Sequence, residues 1–77
     1  MRQLVALIRV GDRLERISID EGPAPDGSWR RVRYERETDG SVTAIIDHVN
    51  GEGVVVDTFR PATWSPEKLV SVEIIDS

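Results

Sequence analysis

The chain has no cysteine and only one histidine in its 77 residues. The first absence excludes disulfides and thiolate metal sites. The second excludes a histidine-rich metal centre. A domain of this length buries a thin core, and small folds without such staples lean on partner chains or on themselves. Aromatic residues are few: two Trp, one Tyr and one Phe. Lysine is nearly absent, because nine of the ten basic residues are Arg. Arginine suits bidentate pairing with carboxylate or phosphate, although GC-rich coding accounts for the excess more simply. No apolar run approaches the ~18 residues of a membrane span. The apolar stretch near the start is interrupted by Arg9 and Asp12, and no small-residue cleavage site follows. No signal peptide and no membrane association are expected, and the cytoplasm is the expected compartment.

Charge is unevenly spread along the chain. The net charge is −4, but residues 1–36 hold eight Arg against six acids, while residues 37–77 hold two basic residues against eight acids. The two halves therefore differ in sign.

The apolar pattern is that of strands. Gln3–Val10 is a nearly continuous apolar run, as in a strand covered on both faces. Gly11-Asp12 suits a two-residue type II′ hairpin turn. That turn places Ile17 opposite Ala6 and Ile19 opposite Leu4 in a half-buried strand over Arg13–Asp20. Glu21–Ser28, with two prolines and two glycines, is expected to be an irregular loop. Trp29–Glu37 reads as a third strand, with Val32 and Tyr34 on one face and Trp29, Arg31, Arg33 and Glu35 on the other. Asp39-Gly40 marks a turn. Val42–His48 and Gly53–Phe59 form a hairpin through Asn50-Gly51, which sets His48 opposite Gly53. Ser65-Pro66-Glu67-Lys68-Leu69 reads as one 3₁₀ or α turn, capped by Ser65, and Val70–Ile75 is the last strand. The expected class is one all-β domain over residues 1–77.

Six strands in a meander, the Asn50-Gly51 hairpin tip and the Ser65–Leu69 turn before the final strand together resemble the SH3-like small barrels, over roughly Val5 to Ile75. An OB-like or other curled antiparallel sheet of five to six strands gives a similar string. The resemblance implies a closed barrel whose ligands meet Glu21–Ser28 and residues near Trp64. It supplies no family motif, and one fold hosts many functions.

Four groups of residues are candidates for function, each with a plainer explanation. Ser28–Arg36 sets Arg30, Arg31, Arg33 and Arg36 beside Trp29 and Tyr34. Such a face can grip an acidic protein or stack and pair single-stranded nucleic acid. More simply, it is a solvated strand whose arginines pair with Glu15, Asp57 or Glu73. The acidic second half, with Glu52, Asp57 and Glu67 as its representatives, can present a field that mimics nucleic acid, or simply keep a small domain soluble. Asp47-His48 with Asp57 carries acid–base groups, but the expected register holds Asp57 level with Ala44, too far from His48 for contact. Trp29, Tyr34, Phe59 and Trp64 can form a cation cage or a core; Trp64 can plug the barrel or anchor an interface.

No catalytic constellation, metal site or cofactor site emerges. The leading expectation is a non-catalytic interaction module. It binds a protein partner, or a second copy of itself, through Trp29, Arg31, Arg33 and Trp64 and the Pro/Gly loop. A small acidic inhibitor of the kind made by phages and mobile elements comes second. A nucleic-acid-binding barrel comes third, and an enzyme last.

Overall fold

Alternating apolar residues and glycine-bearing turns divide the chain into strands joined by short connections, and no helix interrupts them. The computed structural model describes residues 1–77. Its strands are β1 (Arg2–Val10), β2 (Arg13–Asp20), β3 (Gly22–Pro23), β4 (Trp29–Arg36), β5 (Val42–Val49), β6 (Val55–Trp64) and β7 (Leu69–Asp76). They form two antiparallel sheets, a three-stranded one in the order β2-β1-β7 and a four-stranded one in the order β3-β4-β5-β6.

The sequence-derived expectation of an SH3-like barrel or curled sheet of five to six strands is therefore corrected. There are seven strands in two open sheets. Closure needs β6 to pair with β7, and it does not. The chain leaves the edge of the four-stranded sheet at Trp64, turns through Ser65–Lys68, and enters the other sheet beside β1. In that turn the Ser65 carbonyl accepts from both the Lys68 and Leu69 amides. It is one hydrogen-bonded turn, too short to propagate into a helix.

The β1–β2 hairpin has the expected register, Ala6 opposite Ile17 and Leu4 opposite Ile19. Gly11 takes a φ of 64° at the first position of its two-residue loop, as a type II′ turn requires. The inner face of β1 presents Leu4, Ala6 and Ile8. They pack with Val32 of β4, Val42 and Ala44 of β5 and Trp64 of β6 in one core between the sheets. Ile17, Ile19, Tyr34, Ile46, Leu69, Val72 and Ile74 pack around its margin. No second layer lies outside β1. Its outward Val5 is buried in the middle of a three-stranded sheet, flanked by Ser18 and Glu73.

Glu21–Ser28 is more regular than its prolines suggest. Gly22 and Pro23 pair with Arg30 and Trp29. The Ala24 amide donates to the Ser28 carbonyl and the Gly27 amide to the Ala24 carbonyl. The same closure recurs at Glu37–Ser41 and at Asn50–Val54, each with a positive-φ glycine at its fourth residue, Gly40 or Gly53. These are three-residue hairpin loops with a left-handed glycine. In the last of them Asn50 begins the loop and its Oδ1 accepts from the Glu52 and Val54 amides. A two-residue tip at Asn50-Gly51 is therefore not formed. The register of β6 shifts accordingly: Val49 faces Val55, and a bulge at Val56 then sets His48 opposite Asp57 rather than Gly53.

Candidate functional site

The β4–β5–β6 ladder fixes which side chains share a surface. On the outer face, away from the three-stranded sheet, it aligns Trp29–Val49–Val55, then Arg31–Asp47–Thr58, then Arg33–Ile45. Trp29 opens β4 at the end of the sheet that also carries the Ala24–Ser28 turn and the Asn50–Val54 loop. Trp29, the Pro/Gly segment and a run of valines therefore meet at one end of the molecule. Trp29 is 46% exposed, and Val54, Val55 and Val56 are comparably open, Val56 reaching 60%. This is the main concentration of exposed large apolar residues, and its valines lie in a segment whose sequence pattern marks only a hairpin strand.

Arg31 and Arg33 have different roles. Arg33 Nε donates to Asp47 Oδ2 at 2.6 Å and Nη1 to Glu35 Oε1 at 2.8 Å. Its stem runs along the sheet beside Ile45, which is 1% exposed. Asp47 Oδ1 also accepts from Thr58 Oγ1 at 2.9 Å. The Arg33 contact, aided by Thr58, holds the Asp47 carboxyl below the usual carboxylate range, against the desolvation that raises it. Arg33 is held higher than usual, first by Asp47 and then by Glu35. The β4 arginine does pair with acids, but these are Asp47 and Glu35, not Glu15, Asp57 or Glu73. Arg31 forms no ion pair and is exposed. Its guanidinium is open to a partner.

Trp64 is no surface anchor. It is 6% exposed and belongs to the core. Glu52, Asp57 and Glu67 do not form one acidic face either. Glu52 lies in the loop before β6 and Glu67 in the turn after it. The ten residues of β6 between them span roughly 30 Å at the usual rise. Asp57 lies on the opposite face of the ladder from Thr58, and its Oδ1 accepts from the Thr58 amide. The inhibitor reading gains no single acidic face from these three residues.

His48 and Asp57 are cross-strand neighbours after all, yet they make no hydrogen bond. The His48 ring packs on Phe59 with centroids 5.0 Å apart and planes tilted by 59°. Asp47 points to the other face of the sheet. The three residues form no acid–base relay. The four aromatics are likewise dispersed: Trp64 and Tyr34 pack in or beside the core, Phe59 stacks on His48, and Trp29 lies on the outer face. No group of three potential metal ligands converges, and no enclosed cavity opens in the surface. No helix is long and apolar enough to cross a membrane. No protein-family model, curated protein or solved structure matches the chain.

Proposed function

We propose that the chain is a non-catalytic interaction module that docks a protein partner on the open end of its four-stranded sheet. The observation that carries this reading is the exposure of Trp29, Val54, Val55 and Val56 around one hairpin end. A small domain has little reason to leave that much apolar side chain in water unless something covers it. Trp29 is the natural anchor, since tryptophan dominates the energetics of many interfaces. Arg31, exposed and without an ion pair, supplies a charge-assisted contact to a carboxylate on the partner's rim. Arg33, on the same face, is occupied by Asp47 and Glu35 and flanks the contact without supplying it. The partner is thus an apolar groove or pocket with an acidic margin.

The test compares capture from bacterial lysate, with and without nuclease, by wild-type chain and by a Trp29→Ser/Val56→Asp double variant, read by mass spectrometry. A protein retained by the wild type, lost with the double variant and weakened by Arg31→Glu supports the reading. Equal capture by wild type and variant overturns it. Capture that disappears on nuclease treatment reassigns the face to nucleic acid.

A further inference from the structure

We propose that β2 pairs with β2 of a second copy of this chain across a two-fold axis at Ser18, joining the two three-stranded sheets into one. This surface is separate from the Trp29 end, and the inference does not depend on the reading of that end.

Three strands, β2, β6 and β7, leave an edge open over their length, and β4 does so from Arg31 on, beyond its two pairs with β3; that stretch of β4 carries three arginines against one acid, and its Val32 amide is already taken by Glu21 Oε2. Open edges recruit further strands unless they are blunted. β6 is blunted by two register breaks, one beside Val55 and one between Phe59 and Ala62, and by Pro61, which has no amide to donate. β7 is shifted at its start, opposite Leu7 and Ile8, and its only charged residues are the acids Glu73 and Asp76, so self-pairing finds no opposite charge. β2 is eight residues long, its ladder to β1 is unbroken, and it contains no proline.

The phase of the free edge follows from one bond. The Glu21 amide donates to the Arg2 carbonyl, so odd-numbered residues of this strand turn their backbone groups toward β1. The alternation of an antiparallel ladder then turns those of Leu14, Arg16, Ser18 and Asp20 outward. All four side chains are exposed. A two-fold axis perpendicular to the sheet keeps inner and outer faces matched, so the axis must pass through a residue. Centred on Arg16, it opposes two arginines. Centred on Ile17, it sets Arg16 against Ser18 and Glu15 against Ile19. Centred on Ser18, it sets Arg16 against Asp20 twice on the outer face and Ile17 against Ile19 twice on the inner face. A serine, small and polar, sits on the axis. Opposite charges and β-branched residues are the favourable cross-strand pairs. That register closes roughly six backbone hydrogen bonds in the ladder between copies. Glu15, brought toward Glu21 of the second copy, already has Arg13 at 2.9 Å.

The experiment is sedimentation equilibrium from low to high micromolar concentration. The wild type is expected to reach twice the 8.6 kDa of one chain. Arg16→Glu alone and Asp20→Arg alone each place like charges opposite one another twice, and each weakens self-association by roughly tenfold or more. An equimolar mixture of the two variants restores the dimer, because each charge then meets its opposite on the other copy. Far-ultraviolet circular dichroism of each variant confirms that it is folded before weighing. A wild type that stays monomeric at high micromolar concentration overturns the proposal. So does a dimer indifferent to both single variants, or a mixture that fails to reassociate.

Discussion

Asp47 is a nearly buried carboxylate facing outward from a sheet that nothing covers, and its partners explain how that is tolerated. Its two oxygens accept from Arg33 and Thr58, so desolvation is offset by charge-assisted bonds. Asp47→Ala removes those acceptors and is expected to cost about 1–3 kcal/mol in urea unfolding, the lower end reflecting the partial exposure of Arg33. The same network sets an acid dependence. Because the folded state holds the Asp47 carboxyl below its ordinary value, its contribution is complete above that value and drains away as pH falls below ~4. Asp47→Asn should flatten the loss of stability between neutral and acid pH; an acid profile unchanged from wild type removes the network as its source. None of this was visible in the sequence, because Arg33 and Asp47 are fourteen residues apart and meet only once the β4–β5 register is known. The outward direction of Arg31, Arg33 and Trp29 did follow from strand alternation alone.

At the scale of elements, the chain reuses one connection three times, and two copies carry the same tripeptide, Asp26-Gly27-Ser28 and Asp39-Gly40-Ser41. In each, the aspartate accepts from the serine amide and hydroxyl, and those two bonds hold its carboxyl below the usual range. The glycines have φ of 87° and 89°, where a Cβ is strained. Their surroundings differ. A Cβ on Gly40 would lie 3.1 Å from Pro66 Cγ, whereas one on Gly27 meets nothing within 4 Å. Gly27→Ala is therefore expected to cost about 1 kcal/mol through its backbone alone, and Gly40→Ala measurably more, by thermal unfolding of the pair. Equal costs would mean that Pro66 yields freely. The first hairpin was legible to the residue, because Gly11-Asp12 admits one loop length and so one register. The hairpin at Asn50 was not, since Asn50-Gly51 has the signature of a two-residue tip and Gly53, two residues on, takes the left-handed position instead. The prolines of Glu21–Ser28 misled in a similar way. Pro25 occupies the second position of its turn, which proline favours, and Pro23 lies on the short outermost strand of its sheet, where a missing amide is tolerated.

For the whole molecule, local pattern could not decide between a closed barrel and an open sandwich. Both need the same strands, the same turns and a tryptophan near the final turn. The difference lies in whether β6 and β7 join, and that depends on how far the two sheets diverge. The chain measures 44 × 27 × 18 Å, with a core one layer thick held by side chains such as Leu4, Val32, Val42 and Trp64. Leu4→Ala, at a fully buried position, should cost about 2–5 kcal/mol, a large share of the 5–15 kcal/mol typical of small domains. Trp64 and Trp29 report the architecture optically. With Trp29→Phe the remaining indole is buried and protected from acrylamide; with Trp64→Phe it is open to the quencher. Amide exchange separates sandwich from barrel directly. Alternate amides of β6 and β7 point away from their single neighbour in the open fold and should exchange quickly, while β1 and β5, flanked on both sides, exchange at rates approaching those of global unfolding. If β6 and β7 instead protect successive amides along their length, the sheets are joined and the open arrangement is wrong. If successive β2 amides alone gain protection as concentration rises, Arg16, Ser18 and Asp20 among them, the edge that has acquired a partner is the one proposed for self-pairing.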